Sequence, residues 1–245
     1  MAVGLWPSNA LRAQVSIRDS AIHMFLPTIS VGFYGPFQDM ATRVPWAGQV
    51  GLEVAGQLKW HVYLSAGATF FFADGARENP IGPNLLSYGQ LIDENGRLID
   101  FNVSMRGFTI PFRLGYVFHK ARFKLTNPNC GLFLEAGIQY IRHQLYIATS
   151  RGLPLLAGDY RYGYDRLTDG AGALFSLGYR HFGNRRLANF FVAVDAQLNF
   201  TQNRRGYNYD QRQVDTRQRN DFLVGLRLGW HIPVYKQASQ EDYYY

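Results

Sequence analysis

Apolar and polar residues alternate along residues 189–201, NFFVAVDAQLNFT, and this alternation constrains the fold more than any other feature of the chain. One set of alternate positions runs from Phe190 to Phe200 and is entirely apolar, whereas the other set is mostly polar and carries Asp195. Successive side chains of a β-strand point to opposite faces of the sheet. The segment therefore predicts a strand with one apolar and one polar face.

The same alternation recurs along the chain and predicts eight strands, at residues 25–34, 49–58, 62–72, 107–118, 132–143, 173–181, 189–201 and 222–232. No window shows a sustained helical period, and aromatic residues make up 16% of the chain. Long connections (75–98, 149–166 and 203–219) alternate with shorter ones, as in up-and-down barrels of the bacterial outer membrane. Within the first long connection, ENG at 94–96 predicts a hairpin tip.

Periodicity alone does not say which face of the sheet is inside, because soluble barrels bury the apolar face and membrane barrels turn it to lipid. The apolar faces are unbroken over a length that suits an apolar band about 25 Å tall. The polar faces hold glycines and single charges instead of the Lys, Glu and Thr of a solvated sheet. Aromatic residues lie at the ends of the apolar faces: Trp46, Trp60, Tyr116, Phe118, Tyr140, Tyr179 and Trp230.

These observations predict an all-β protein, an eight-stranded antiparallel up-and-down transmembrane β-barrel over residues 23–236, located in the bacterial outer membrane. A soluble lipocalin-like barrel is the alternative fold. Residues 1–13 are similar to the end of a secretory signal peptide, with the small residue Ala13 at the expected cleavage point. We expect 14–22 to be an N-terminal periplasmic segment and 237–245 a periplasmic tail.

The polar faces carry three acids and three arginines. The interior of an eight-stranded barrel is just wide enough for side chains to fill it, and an unpaired buried charge is strongly destabilising. We therefore expect these six residues to form a network of salt bridges that closes the lumen: Glu53, Arg113, Glu135, Arg180, Asp195 and Arg227.

The long connection at 202–221 is the most distinctive exposed segment. Arginine and tyrosine favour interfaces, so this loop could bind lipopolysaccharide phosphates or a protein partner. The alternative is a solvated loop that extends the barrel wall. Its candidate contact residues are Arg204, Arg205, Tyr207, Tyr209, Arg212 and Arg217. At the opposite end we predict a basic rim, for lipid headgroups or a periplasmic protein, formed by Lys120, Arg122, Lys124, Arg185 and Arg186.

The sequence contains no pattern that is characteristic of catalysis. His143, Ser150 and Asp169 are the only set that could supply a nucleophile and a base, and a hydrogen-bonded rim histidine explains His143 better. Cys130 is the only cysteine, which excludes an internal disulfide, and the histidines lack the paired spacing of metal ligands. The net charge of +7 is spread along the chain rather than gathered into a nucleic-acid patch. We expect no enzyme activity, metal or cofactor.

Two neighbouring segments, FTIPFRLGYVF at 108–118 and GLFLEAGIQY at 131–140, resemble strands of small outer-membrane β-barrel proteins of the Bacteroidota. This group includes PorT-like and OmpA-type barrels, some of which take part in type IX secretion. The resemblance implies a scaffold or accessory component of an envelope or secretion complex, with outer-membrane lipids, lipopolysaccharide and other envelope proteins as partners. A narrow, porin-like channel or transporter for small solutes is the alternative function.

Overall fold

A single closed sheet forms the body of the protein. The computed structural model describes residues 23–58, 60–82, 86–93, 95–118, 129–150, 153, 156, 158–183 and 188–234. Its elements in chain order are β1 Met24–Gln38, α1 Asp39–Arg43, β2 Ala47–Gln57, β3 Val62–Ala73, β4 Leu86–Ser87, β5 Gln90–Ile92, β6 Leu98–Ile99, β7 Phe101–Phe118, β8 Gly131–Thr149, a 3₁₀ helix Gly158–Gly163, β9 Thr168–Phe182, β10 Asn189–Asn203 and β11 Gln218–His231.

The eight long strands close into a ring in the order β1, β11, β10, β9, β8, β7, β3, β2, and every pairing is antiparallel. Each long strand therefore pairs with the long strands before and after it in the chain. The first and last strands close the ring, with Ile29 opposite Trp230. The predicted fold class, an eight-stranded antiparallel up-and-down barrel, is confirmed.

Several strands continue beyond the alternating apolar pattern that predicted them. β7 begins at Phe101 and β8 ends at Thr149, and these two residues are paired. The exposed Arg106 points outward in this extension, and the exposed Arg142 points outward at the end of the predicted part of β8. The backbone ladder continues here, but the outer face no longer needs apolar residues. The apolar pattern thus marks the part of each strand within the membrane, and the extensions form a wall above it.

The long connections contain small elements that cover one end of the barrel. The short strands β4, β5 and β6 form a separate three-stranded sheet. The turn between β5 and β6 is closed by a hydrogen bond of 2.8 Å from the Asp93 N–H to the Arg97 carbonyl, where the ENG sequence predicts a hairpin tip. Among the described residues, no helix is both long and apolar enough to cross a membrane.

Large apolar side chains cover the outside of the barrel. Leu52, Leu64 and Ile138 are 66%, 63% and 67% exposed, and similar residues occupy the outward positions of every long strand. Exposing a continuous apolar belt of this size to water is unfavourable, whereas a lipid bilayer solvates it. The soluble lipocalin-like alternative fails for this reason. Aromatic residues border the belt: Trp46 stacks on Phe33 with ring centroids 5.6 Å apart.

The interior of the barrel is layered along its axis. Outer-membrane barrels have short periplasmic turns and long extracellular loops, so the end that carries residues 74–100 and 204–217 is extracellular. An apolar cluster fills the periplasmic end of the lumen, and a second one fills the extracellular end. Charged and amide side chains occupy the layers between them. The position of these polar layers makes them the first candidate functional site.

Candidate functional site

Two arginines and three acids form an ion-pair layer near the middle of the lumen. Arg227 of β11 donates hydrogen bonds to Asp195 at 2.8 Å, to Glu53 at 3.5 Å and to Glu135. Arg113 of β7 donates to Glu53 at 2.8 Å, and its Nε lies 3.9 Å from Glu135. All five side chains are almost fully buried. The layer thus joins five different strands across the lumen.

Arg180 is placed differently from the sequence expectation. It forms no ion pair with a carboxylate of the described residues; its guanidinium donates to the carbonyl of Asn129 at 3.1 Å and to the side chain of Gln57. It also lies 5.0 Å from the ring centroid of Tyr63, whose hydroxyl donates to Glu135 at 2.8 Å. Arg180 is therefore linked to the ion-pair layer through the ring of Tyr63. The reason is its height in the barrel, because Arg180 lies closer to the periplasmic end than the three acids do.

A layer of amide side chains lies on the extracellular side of the ion pairs. Gln139 donates to Gln197 at 3.2 Å and to Asn199 at 2.7 Å, and Gln49 donates to Gln197 at 3.2 Å. One step further out, the Thr201 hydroxyl donates to Asp221 at 2.6 Å. Amides carry both donors and acceptors, so they can fill a lumen without an unpaired charge.

Apolar residues close both ends of the lumen. Phe133, Phe182 and Phe191 are buried in the periplasmic cluster. At the extracellular end the short helix α1 packs against the inner wall, and its Met40 is fully buried in the second cluster. These plugs could not be predicted from the alternation, because Phe133 and Phe191 lie on the faces that it marks as polar and Met40 lies in a short helix between two strands.

Glycines on neighbouring strands make room for the large inward side chains. Tyr63 is paired with Gly115, and a Cβ on Gly115 would lie 2.2 Å from the tyrosine ring. Phe191 is likewise paired with Gly229, and a Cβ on Gly229 would lie 2.0 Å from the phenylalanine ring. The inward glycines noted in the sequence thus accommodate rings and charged groups rather than a water-filled channel.

The remaining space in the lumen is small. A cavity of about 20 Å³ adjoins Glu53, Tyr63, Glu135, Arg180 and Arg227. This volume holds about one water molecule. Little free space therefore remains beside the ion-pair layer, which contains five of the six charged residues that the sequence predicts for the network.

The extracellular loops form the second candidate site. Arg205 makes a two-pronged ion pair with Asp165, which holds the pKa of this guanidinium above its ordinary value. Arg204 pairs with Asp169, and Arg217 pairs with Asp39. These acids come from other parts of the chain. Their pairing with these arginines could not be predicted, because nothing in the sequence indicates which loops meet.

Two more arginines hold the loops together, Arg43 of α1 and Arg166. Glu78 accepts a hydrogen bond of 2.7 Å from Nε of Arg43 and also forms an ion pair with Arg166. Arg166 forms a second ion pair with Asp210. Burial lowers the pKa of Arg43 to about 10, so its guanidinium remains protonated at neutral pH. Tyr164 and Tyr209 pack edge to face with centroids 5.5 Å apart. We call α1, β4–β6 and residues 158–167 and 204–217 the extracellular platform.

The predicted contact residues of this loop divide into two groups. Arg204, Arg205 and Arg217 are engaged in the ion pairs above, and Tyr209 packs on Tyr164. Tyr207 is exposed, and Arg212 is exposed in a left-handed conformation with φ of 53°. The loop is thus packed against the rest of the platform rather than standing alone in solvent.

The structure does not bring the candidate catalytic residues together. His143 is fully buried inside the barrel, with its Nε2 3.5 Å from Asp221. Asp169 instead pairs with Arg204 and accepts a hydrogen bond of 3.2 Å from the exposed Tyr140. Among the described residues, no group of three or more His, Cys, Asp or Glu is arranged to hold a metal ion.

Several sequence predictions lie outside the described residues. These are the signal-like segment 1–13, residues 14–22 and the tail 237–245. The predicted basic rim of Lys120, Arg122, Lys124, Arg185 and Arg186 lies outside them as well.

No protein-family model and no curated protein matches this sequence. Ail, the attachment invasion locus protein of Yersinia pestis, matches over 85% of this chain and 99% of its own, with 6% identity and a TM-score of 0.40. The outer membrane protein OprG from Pseudomonas aeruginosa matches over 86% and 96%, with 10% identity and a TM-score of 0.39. A major outer membrane protein from Thermus thermophilus matches over 85% and 98%, with 12% identity and a TM-score of 0.41.

These likenesses are too distant to carry an argument about this protein. The structure of the protein itself indicates where it is located. A closed barrel leaves no unpaired strand edge, an apolar belt surrounds it, and long loops lie at one end, which together are the architecture of bacterial outer-membrane proteins. The protein lies in the bacterial outer membrane.

Proposed function

We propose that this protein is a non-enzymatic outer-membrane scaffold, a closed barrel that presents its extracellular platform to a protein partner in the cell envelope. The filled lumen is the observation that carries the proposal. Ion pairs and amides occupy its middle, and apolar clusters occupy both ends. A barrel without a solute path is suited to anchoring its extracellular platform in the membrane.

The platform has the features of a preformed contact surface. Its loops are joined by ion pairs such as Arg205–Asp165 and Arg217–Asp39, so a partner meets a surface that is already ordered. Five of its described tyrosines are exposed, among them Tyr88 at 97%, Tyr160 at 65% and Tyr207 at 44%. Tyrosine is enriched at protein interfaces because it buries a large area at low entropic cost.

The wall below the platform suits lipopolysaccharide. Arg106 and Arg142 face outward just above the apolar belt, and Arg106 lies 4.0 Å over the ring of Tyr146. Arginine binds phosphate groups well. We expect these arginines to contact the phosphates of neighbouring lipopolysaccharide. The resemblance to Bacteroidota barrels further suggests that the protein partner belongs to an envelope or secretion complex, of which this chain is an accessory component.

Site-specific photo-crosslinking in intact cells tests the scaffold proposal. A photoreactive phenylalanine analogue replaces Tyr88, Tyr160 or Tyr207 in turn, and a fourth variant carries it at Leu134, which is 49% exposed in the lipid-facing belt. The proposal predicts one protein adduct that is common to at least two platform positions and absent at Leu134. Platform positions that yield no protein adduct would contradict it.

A narrow channel for small solutes is the competing function. It requires the ion-pair and amide layers to rearrange, because the cavity of about 20 Å³ beside them is too small for a solute path. Single-channel conductance separates the two functions.

A further inference from the structure

The extracellular end of β8 has an open edge. The β8–β9 ladder ends where His143 pairs with Thr168, whereas the β7–β8 ladder continues to the pair of Phe101 and Thr149. The ring of strands is therefore closed at the level of the membrane, but above it β8 has a described neighbouring strand on one side only. A strand edge of this kind presents backbone N–H and C=O groups that can pair with another chain.

Hydrogen bonds on either side of β8 show which backbone groups face this edge. The N–H of Ser150 donates toward β7, to the carbonyl of Asp100 at 3.4 Å, whereas the N–H of Leu145 donates to the other side, to the carbonyl of Asp165 at 2.7 Å. Alternate residues of a strand direct these groups to the same side. The N–H and C=O of Ile147 therefore point away from β7, and no described residue forms a hydrogen bond with them.

A cavity of about 550 Å³ lies against the open edge. One wall is the extracellular part of β8, including Leu145 and Ile147, and the opposite wall includes Arg161, Tyr162 and Arg205 of the extracellular platform. We call this cavity the edge cleft. The stretch of β8 from residue 145 to residue 149 provides about 13 Å of edge, at about 3.3 Å per residue. The edge cleft is therefore long enough for an extended segment of about five residues.

The two faces of β8 at the edge cleft differ in chemistry. Arg142 and Tyr146 are exposed on the outward face. On the inward face Leu145 is buried, and Ile147 packs against the apolar cluster that contains Leu153. A strand added to an edge places its side chains beside those of the neighbouring strand on the same two faces. The occupant of the edge cleft therefore needs apolar side chains on its inward face and polar ones on its outward face.

The charge of the edge cleft is positive. Asp165 is the one acid among the described residues that line it, and both oxygens of this carboxylate accept hydrogen bonds from Arg205. Arg142 and Arg161 also line the edge cleft, are exposed, and form no ion pair with a described acid. Complementary charge selects binding partners, so the polar side chains of the occupant are best supplied by carboxylates.

We propose that the edge cleft binds an extended acidic segment of a protein partner, which adds to β8 as a further strand beside Ile147. In this mode the backbone hydrogen bonds supply affinity, and alternate side chains supply specificity. The segment alternates apolar residues, which face inward, with acidic residues, which meet Arg142 and Arg161. This inference rests on the proposed scaffold function and names the chemistry of the partner.

Peptide binding to the full chain in non-ionic detergent, measured by fluorescence anisotropy, tests the proposal. The probe is a labelled hexapeptide of alternating valine and glutamate. The expected result is saturable binding, and the matched peptide with lysine in place of glutamate should bind at least about tenfold more weakly. Two further peptides carry N-methyl groups on the valine amides alone or on the glutamate amides alone. Because a strand pairs with one neighbour through alternate residues, one of them should lose about tenfold in affinity and the other less than about twofold.

Variants of the protein locate the bound peptide. Ile147→Pro removes the N–H that faces the edge cleft and leaves the β7–β8 hydrogen bonds in place, so it should weaken binding about tenfold. Ile147→Val is the matched control, because it keeps this N–H, and it should change the affinity less than about twofold. Arg161→Gln should weaken binding about threefold or more at low salt. Arg204→Gln should not, since Arg204 pairs with Asp169 and does not line the edge cleft.

Three outcomes would overturn the proposal: no saturable binding, an equal effect of the two methylation patterns, or equal affinities of Ile147→Pro and Ile147→Val. If Ile147→Pro does not form the folded barrel, the methylated peptides carry the test on the wild-type protein. Failure here, together with a shared cross-link at Tyr88 and Tyr207, would leave the scaffold function standing with a different contact surface. Peptide binding without any platform cross-link would instead support the edge cleft and contradict the scaffold function.

Discussion

The lumen and the extracellular platform use the same chemistry, arginine paired with carboxylate, in two different settings. In the lumen, Arg227 meets three acids that are fixed by strand register and sealed from water. In the platform, Arg217 forms an ion pair with Asp39, and the side chain of Arg217 is 69% exposed. Strand register fixes the relative positions of the first set, whereas the second set depends on contacts between separate loops. We therefore expect the lumen pairs to determine the stability of the barrel and the platform pairs to determine local order.

Loss of Arg227 should have the largest effect. Arg227→Gln leaves Glu53, Glu135 and Asp195 with Arg113 as their only arginine in the layer. Breaking a buried pair by removing one partner costs about 3–5 kcal/mol. We expect urea unfolding of the protein in lipid vesicles to show a loss of this size. Arg212→Gln, at an exposed loop position, is the control and should leave the free energy of unfolding within about 0.5 kcal/mol of wild type.

An added methyl group at an inward glycine should have the next largest effect. A Cβ on Gly225 would lie 2.1 Å from the backbone carbonyl oxygen of Phe33, so the strands themselves must move apart. Gly225→Ala should lower the free energy of unfolding by about 1–3 kcal/mol. Gly56→Ala is the control, since its Cβ would have no atom within 4 Å. Equal stability of the two variants would mean that the interior is loosely packed.

An ion pair in the platform should contribute less to the free energy of unfolding. Asp165 and Arg205 are joined by two hydrogen bonds, and the arginine side chain is 23% exposed. A double-mutant cycle with Asp165→Asn and Arg205→Gln should give a coupling energy of about 0.5–1 kcal/mol. A coupling as large as the loss from Arg227→Gln would contradict the contrast between the two regions.

Acid should loosen the platform. Burial alone would raise the pKa of Asp215, but the hydrogen bond and charge of Arg219 outweigh it and lower the pKa below the ordinary value of 3.8. The stabilisation from this pair is therefore complete above that value and is lost as the pH falls through the lowered pKa. Hydrogen exchange of residues 204–217, corrected for intrinsic rates, should stay constant from about pH 7 to pH 5 and rise as the pH falls below the ordinary pKa of an aspartate. Asp215→Asn should remove this step.

The sequence was sufficient to predict the wall of the barrel and much of its charged layer. Strict alternation around Asp195 fixes which face is apolar, and isolated charges on the other face must find partners inside a narrow lumen. The partners of Arg180 could not be predicted, because Gln57 and Asn129 lie at strand ends whose relative heights depend on the stagger of the barrel. The apolar plugs were missed because buried rings occupy positions on the polar faces.

The platform was the least predictable region. The loop 202–221 was recognisable from its arginines and tyrosines, but Asp39, Glu78 and Asp165 have no local signal that assigns them as partners. They meet these arginines because the closed barrel carries its long loops at the same end. Mutual contacts between loops depend on the closed barrel, so they follow from the fold and not from local sequence.

Single-channel recording in planar bilayers tests the central claim, a closed lumen, most directly. The account predicts near-zero conductance for the wild-type protein. Arg113→Ala and Asp195→Ala should each produce measurable openings, because each leaves unpaired charge and space within the ion-pair layer. Large ohmic conductance from the wild-type protein would contradict the account and assign the barrel to the channel function.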